Sequence, residues 1–445
     1  MNIKYTYLIS VFGVGSWFRK NNLPFFLTAA YVFIFLGCKS AEPTDLKPRI
    51  LISTDIGGTD PDDFQSMIHL LMYADLFQIE GLVASPHGAG RKKDLFDMID
   101  LYEGDFEQLK QRSVEFPNPD ALREVCKQGS IPMAPFDGFD KPTEGSEWIV
   151  TCAKRRSDRP LWVLVWGGLE DLAQALHDAP EIKEKIKVYW IGGPNKKWSI
   201  NAYAYIAQHH SDLWMIEANA TYRGWFMDEG SPAGFTNKAY YETYIHNRGA
   251  MGRAFKNYYG GVLKMGDSPS LTYVMNGRPE DPLSESWGGS FTPIDFSSRR
   301  IFNGNTTVAD TVAAYATLEW RFKGPELEIA RDSICFTLEI SEQIWPGYYL
   351  GDGIYGVRYA SKKPEVCAYT TSSEIPEINN RSGQFVSIVP WPGKPGPDDY
   401  RCGQNWYSDR TEPELFLGEQ QGVRTVSKHR EAFLADWAKR WEWLQ

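Results

Sequence analysis

The chain has 445 residues, of which 42% are hydrophobic and 14% aromatic, so it can bury a large core. This composition excludes an intrinsically disordered protein. The formal net charge is −10. Because phosphate binding needs a basic face, we expect no nucleic-acid partner.

The N-terminal segment has the pattern of an export signal. A basic pair precedes the apolar run from Leu23 to Leu36, which has the length of a signal-peptide core and stops at Gly37-Cys38. A small residue before a cysteine suits cleavage and lipid attachment. We therefore expect residues 1–38 to be a lipoprotein-type signal peptide, with ordinary secretion or an uncleaved anchor as alternatives. The mature protein would be periplasmic or extracellular, or held at the cell envelope by its lipid.

The next part of the chain, assigned to a domain at 46–324, alternates short apolar runs with stretches of helical periodicity. Runs rich in β-branched and aromatic residues predict strands at 49–54, 77–85, 161–167, 186–193 and 213–219. Strands that alternate with helices predict an α/β fold, with a mainly parallel sheet covered by helices on both faces. The ligand site of such a sheet lies beyond the carboxyl ends of its strands. Asp55 comes directly after the first of these strands.

The periodicity changes in the C-terminal third. Strand-like runs at 333–341, 348–360, 365–373 and 384–392 follow one another without helices. They predict a small antiparallel β subdomain inserted at 325–402. The remaining residues, 403–445, are expected to form a helical segment that packs on the main domain, because one helical face carries Phe433, Trp437, Trp441 and Leu444.

The turn after the first predicted strand is strongly acidic, with Asp55, Asp60, Asp62 and Asp63 within nine residues. Its centre, DIGGT, also fits the phosphate loop of sugar kinases. In that loop the chain soon returns to a strand, whereas here Asp-Pro-Asp-Asp starts a helix and would repel a triphosphate. Like charges this close either raise their pKa values or attract a cation. Hard oxygen ligands favour Ca²⁺ or Mg²⁺ over zinc, while capping of the helix is the alternative role for Asp60 and Asp62.

These motifs resemble a known family. The TDIG…PDD pattern resembles the signature of nucleoside hydrolases and, more closely, that of the nucleoside-hydrolase-like family that includes cellulose-binding Sde182-type proteins (DUF1593). Further motifs of this family occur in the same order: SPHGAGR (85–91), TEGSEWI (143–149), PLWVLVWGG (160–168), GDSPS (266–270) and SESWGGSF (284–291). The resemblance implies the nucleoside-hydrolase-like fold and hydrolysis of a glycosyl bond.

The resemblance also implies a role for each matching residue. Asp55 would be a metal ligand and the general base toward water. Asp62 would lie near a sugar hydroxyl and act in catalysis, and Asp63 would bind the metal. Glu170 occupies the place from which the family offers a backbone carbonyl to the cation, and Asp267 would be the last carboxylate ligand. Nucleoside hydrolases have His-Asp at this last position, so the histidine near their leaving group is missing here.

Six further residues are candidates for the substrate-binding wall: His87, Glu144, Asn195, Trp198, Asn201 and Trp287. His87 follows the second predicted strand and therefore reaches the sheet edge of Asp55, with loop capping as the alternative. The three residues 195, 198 and 201 follow another strand, where nucleoside hydrolases bind ribose. Glu144 could face a sugar or start a helix, and Trp287 could stack on a sugar or pack in the core.

We therefore expect a secreted or surface-anchored Ca²⁺-dependent glycosidase that cleaves N- or O-glycosyl bonds of glycan-derived sugars. The alternative is a non-catalytic carbohydrate-binding protein that keeps the fold. The carboxylates Asp55, Asp63 and Asp267 favour the enzyme, and the missing histidine favours the binding protein. The expected partner is a carbohydrate or glycoside, with membrane contact only through the lipid anchor; a homo-oligomer is left open.

Overall fold

The computed structural model describes residues 46–85 and 87–445. The expected signal peptide and Cys38 lie outside these residues. The described part of the chain contains no helix that is both long and apolar enough to cross a membrane.

The strands, in chain order, are β1 (Arg49–Thr54), β2 (Gln78–Ala84), β3 (Cys126–Gln128), β4 (Leu161–Val165), β5 (Ile186–Ile191), β6 (Met215–Ala218), β7 (Phe291–Pro293), β8 (Phe296–Ser297), β9 (Arg299–Phe302), β10 (Thr311–Ala313), β11 (Thr317–Lys323), β12 (Ile334–Ile340), β13 (Gln343–Gly351), β14 (Ile354–Tyr359), β15 (Glu365–Ser372), β16 (Ser382–Ile388), β17 (Tyr400–Arg401) and β18 (Trp406–Asp409). The α-helices are α1 (Asp62–Met72), α2 (Lys92–Arg112), α3 (Pro119–Glu124), α4 (Glu144–Lys154), α5 (Glu170–Asp178), α6 (Pro194–Trp198), α7 (Ile200–His209), α8 (Gly249–Phe255), α9 (Ser268–Met275), α10 (Arg424–Ser427) and α11 (Arg430–Trp441).

The first sheet has the strand order β3-β2-β1-β4-β5-β6-β18-β7. All neighbours in it are parallel except β18 and β7, which pair antiparallel. The expected mainly parallel sheet is therefore confirmed. Its strands are short apolar runs because both faces are covered by helices.

Side chains alternate between two cores on the opposite faces of this sheet. Ile50 and Ile52 of β1 face the core that also contains apolar residues of α1, α2, α9 and α11. Leu51 faces the other core, with residues of α4, α5 and α7. Trp437 and Trp441 of the predicted C-terminal stripe are fully buried in the first core.

The second sheet has the order β10-β16-β15-β12-β13-β14-β11-β9 and its own apolar core. Its central pairs are antiparallel, as expected, while β10 and β9 pair in parallel at the two edges. It begins at Arg299, so the expected boundary at residue 324 falls after its first three strands. The segment 403–445 is not only helical, because β18 enters the first sheet beside β6.

Candidate active site

A cavity of about 420 Å³ lies beyond the carboxyl ends of the first sheet's strands. Of the residues predicted for the site, seven line it: Asp55, Asp62, Asp63, His87, Asn195, Trp198 and Asp267. They come from separate parts of the chain. The parallel order of the strands brings them together, because the loops that follow parallel strands leave the sheet at the same edge.

The turn after β1 is held by local hydrogen bonds. Thr54 Oγ1 donates to Asp63 Oδ1 and accepts from the N–H of Ile56 at 3.1 Å. The N–H of Gly58 donates to the Asp55 carbonyl at 2.8 Å, and Gly57 has a φ of +77°, which favours glycine. The turn is therefore tight enough to set the carboxylate that ends the strand beside the one that starts α1.

Helix α1 also fixes the distant Asp267. Gln65 Oε1 accepts from the N–H groups of Lys264 and Met265 at 2.9 and 3.2 Å. Ser66 Oγ accepts from the Asp267 N–H at 3.3 Å. These polar side chains of α1 are buried, which is unusual for a helix packed on a sheet, and their hydrogen bonds account for it. One helix thus carries two carboxylates and positions a third.

Three carboxylates converge in the cavity. Oxygens of Asp62, Asp63 and Asp267 lie within 4.8 Å of one another. Calcium binds oxygen at about 2.3–2.6 Å, so one Ca²⁺ can span this separation. Asp267 Oδ2 is buried and has no hydrogen-bond partner among the described residues. An unpartnered buried carboxylate oxygen is costly, so the donor set fits a hard divalent cation.

Burial dominates the electrostatics of this cluster. Desolvation raises the pKa of Asp55, which lies beside Asp63. Desolvation, then Asp267 and then Asp55 raise the pKa of Asp63 well above its usual range. The pKa of Asp267 is also raised well above its ordinary value, first by burial and then by the charge of Asp55. The protein alone does not supply enough positive charge to keep all of these groups ionised.

One cation of the protein does reach the edge of the cluster. Lys264 Nζ lies 2.5 Å from Asp60 Oδ2 and 3.6 Å from Asp62 Oδ2. Asp60 also accepts from the N–H of Asp62 at 3.2 Å, so it caps the start of α1. Lys264 therefore neutralises the outer carboxylates Asp60 and Asp62, whereas it makes no ion pair with Asp63 or Asp267.

Asp55, Asp63, Asp267 and the Glu170 carbonyl stay a predicted ligand set. The three-carboxylate cluster contains two of them, Asp63 and Asp267, together with Asp62, which was expected near a sugar hydroxyl and in catalysis; Asp55 lies beside Asp63. The Glu170 side chain does not join the cluster. Its Oε2 accepts from Ser199 Oγ at 2.9 Å and lies 3.9 Å from His87 Nε2.

His87 is placed on the cavity wall, as expected from its position after β2. Neither of its ring nitrogens has a hydrogen-bond partner among the described residues, although both are buried. The side chain is only 13% exposed. Nε2 lies 3.9 Å from Glu170 Oε2, so the ring keeps hydrogen-bonding capacity that no described residue uses.

The two strand-end candidates Asn195 and Trp198 also line the cavity. The Asn195 amide donates to the carbonyls of Trp166 and Ile191 at 2.9 and 3.0 Å, which fixes its oxygen. The Trp198 ring lies 4.6 Å from that of Trp345 in the second sheet. Both side chains are therefore held by contacts outside the cavity.

Three predicted substrate-binding residues do not line the cavity. Glu144 accepts from Lys92 Nζ and from the Gln128 N–H, both at 2.9 Å, at the start of α4. Asn201 is buried and donates to the Ala134 carbonyl at 3.1 Å. Trp287 packs against the first core. For Glu144 and Trp287, the alternatives of a helix start and of core packing describe the structure better, whereas the Asn201 amide is used in a buried hydrogen bond.

Sequence reasoning missed several residues of the wall: Thr59, Met133, Trp166, Tyr222 and Lys264. Trp166 directly follows β4, and Tyr222 comes shortly after β6, so both could have been found from the rule that sites lie at strand ends. No local pattern marks Lys264 or Met133, because both come from long loops.

The family of the chain follows from a sequence match. A family model described as cellulose-binding Sde182, nucleoside hydrolase-like domain, matches residues 49–291, which is more than half of the chain. The chain belongs to this family. A second model, of a domain of unknown function (DUF5060), matches residues 311–374 in the second sheet. The resemblance stated from the motifs is thus confirmed, and the family's matched segment includes every carboxylate of the cluster.

Solved structures give more distant similarities. A nucleoside hydrolase-related hypothetical protein from Saccharophagus degradans, associated with carbohydrate metabolism, is 16% identical over 78% of this chain and 100% of its own, with a TM-score of 0.48. An inosine-uridine preferring nucleoside hydrolase from Bacillus anthracis is 15% identical over 57% of this chain and 87% of its own, with a TM-score of 0.32. A putative glycoside hydrolase from Bacteroides vulgatus is 26% identical over 18% of this chain and 16% of its own, with a TM-score of 0.15. Comparison with curated proteins found no match.

Proposed function

We propose that this Sde182-type protein is a Ca²⁺-dependent glycosidase that hydrolyses the glycosyl bond of a glycan-derived sugar. We further propose that it acts outside the cytoplasm, anchored through Cys38. The observation that carries the proposal is the group of carboxylates Asp62, Asp63 and Asp267 at the wall of the 420 Å³ cavity, of which Asp63 and Asp267 are buried. The raised pKa values of Asp63 and Asp267 and the unpartnered Asp267 oxygen favour a bound cation.

Asp63 and Asp267 would hold the cation, with Asp62 beside them. When bound, the cation would supply Lewis acidity toward water and sugar hydroxyls. Asp55 would take the proton of the attacking water, because it directly follows β1 and lies in the cavity beside Asp63. The negative charge of the cluster would also stabilise an oxocarbenium-like transition state.

The opposite wall would hold the sugar and its leaving group. His87 offers two unpartnered nitrogens, and Asn195 offers a fixed amide oxygen. Trp198 presents an aromatic surface of the kind that packs on the C–H face of a sugar. This wall also supports the second candidate function, a carbohydrate-binding protein without turnover, which the cellulose-binding description of the family favours.

The test combines metal titration with a substrate screen. The chelated protein is titrated with Ca²⁺, and nitrophenyl glycosides, nucleosides and oligosaccharides are then assayed with and without the metal. We expect Ca²⁺ binding and Ca²⁺-dependent turnover of at least one glycoside. Asp55→Asn should lower kcat by about 10²–10⁴-fold, as loss of a general base does.

Matched variants make the result decisive. Asp158→Asn removes an exposed carboxylate outside the cavity and should leave turnover unchanged. Ca²⁺ binding without turnover, together with glycan retention that Trp198→Ala abolishes and Trp287→Ala spares, would favour the binding protein. No response to Ca²⁺ in either assay would refute the metal site.

A further inference from the structure

Strand β11 carries a row of charged side chains beside a second cavity. Its sequence, TLEWRFK, alternates so that Leu318, Trp320 and Phe322 are buried in the core of the second sheet. Because side chains alternate along a strand, Glu319, Arg321 and Lys323 share the opposite face. This face looks toward helix α7 across a cavity of about 680 Å³, separate from the acidic one.

This cavity, the basic groove, is lined by five cationic side chains: Arg299, Arg321, Lys323, Arg331 and Arg358. The helix side contributes Tyr205, Gln208 and His209, which share one face of α7 at spacings of three and four residues. The groove thus combines guanidinium groups, an amide and an aromatic ring.

The cations of the groove exceed its acids. Three guanidinium groups share the single buried carboxylate of Glu319, since Arg299, Arg321 and Arg358 lie 2.7, 2.6 and 2.8 Å from its oxygens. Among the described residues, Lys323 makes no ion pair, and Arg299 Nε is buried without an acceptor.

Of the residues that the structure describes, two acids line the groove itself. Asp137 is paired with Arg331 at 3.1 Å, and Asp352 lies in the turn between β13 and β14. With Glu319 included, the five cations keep an excess of two positive charges. Such an excess in one concave surface is notable on a chain whose formal net charge is −10.

We propose that the basic groove binds an acidic oligosaccharide through the carboxylates of its uronic acids. Guanidinium groups match carboxylates through paired hydrogen bonds, which a lone lysine cannot do. The volume is that of a site for a small organic molecule rather than for a single inorganic anion. Tyr205 and Gln208 would supply the stacking surface and the hydroxyl contacts of a sugar ring.

A nucleic acid is the less favoured occupant. Its binding requires many phosphate contacts along an extended basic surface, and the strongly negative chain opposes these outside the groove. The groove also does not depend on the acidic cavity, because the two share no lining residue.

The test measures binding to the full chain by calorimetry at low salt, with trigalacturonate as the probe. We expect trigalacturonate to bind while neutral maltotriose does not, and the affinity to fall as salt is raised. Lys323→Gln combined with Arg321→Gln should weaken binding by about tenfold or more, because hydrogen bonds to charged groups are lost. Glu319 keeps two arginine partners in this variant, so the fold should persist, and Lys323→Gln alone provides a milder version.

Two control variants show whether binding depends on the groove itself. Lys362→Gln removes an exposed cation of the same subdomain outside the groove and should not change the affinity. Asp267→Asn should also bind trigalacturonate normally, even if the proposed glycosidase activity fails. Equal affinity for maltotriose, tighter binding of a single-stranded oligonucleotide, or no effect of the groove variants would overturn the proposal.

Discussion

Replacing Asp267 by asparagine should stabilise the protein without Ca²⁺ and remove its stabilisation by Ca²⁺. Two unit charges 4.8 Å apart at an effective dielectric constant of about 20 repel by about 3.5 kcal/mol. Burial and the charge of its neighbours raise the pKa of Asp267, so part of the cost is already relieved by protonation. We therefore expect the metal-free variant to be more stable than the metal-free parent by about 1–3 kcal/mol.

The same variant should lose its response to the metal. At a Ca²⁺ concentration of about 100 times Kd, a bound ion stabilises the parent by about 2.7 kcal/mol. Urea unfolding in chelator and in Ca²⁺ measures both effects on one protein, and Asp158→Asn serves as the control with one exposed carboxylate removed. If Asp267→Asn lowers stability in chelator and keeps the full Ca²⁺ response, the cluster is not a cation site.

Three other variants address the second sheet, the site and the core. Burial alone would raise the pKa of Glu319, but its arginine partners lower that pKa to about 2. The ionised Glu319 therefore contributes its full stabilisation above pH ~4.3, and this contribution is lost as the pH falls toward 2. Glu319→Gln should therefore lower the free energy of unfolding by about 3–5 kcal/mol at pH 7. Urea unfolding should show a smaller difference between variant and parent at pH 3. Gly167→Ala would put a methyl group 2.7 Å from Asp55 Cβ and should lower kcat by about 10²-fold, whereas Gly396→Ala, with no neighbour closer than 3.5 Å, should match the parent in the same assay. Trp437→Ala should cost about 3–5 kcal/mol of unfolding free energy in denaturant titrations, because the ring is fully buried.

Local patterns predicted the parts of the fold that local physics determines. The run RILIST was expected as a strand at 49–54 and forms β1 over those residues, since consecutive apolar residues suit a strand buried on both faces. The second sheet was placed too late in the chain because β9 and β10 are short and pair with strands distant in sequence. Tertiary contacts decide which strand an edge strand pairs with, and the hydrophobic periodicity of a short segment does not reveal that partner.

The site shows the same division. The acidic turn was visible because its residues are adjacent, and Asp267 was found only through the family's motif. The contribution of Gln65 and Ser66 was not foreseen, because they accept hydrogen bonds across about 200 positions of the chain. The sequence did contain one indication of their role: Gln65 and Ser66 are polar residues on the buried side of α1, a helix that begins with two aspartates.

The two sheets meet beside the acidic cavity, and this contact bears on what the cavity can hold. Trp198 lines the cavity and packs against Trp345 of β13, while Lys197 Nζ donates to Gln343 Oε1 at 2.6 Å on the same strand. The second sheet therefore positions part of the wall that would face a sugar. Under the proposed function, a sugar in the cavity would contact Trp198, whose position depends on this sheet. The basic groove is lined by residues of the same sheet, so both proposed sites depend on side chains that this sheet supplies or positions.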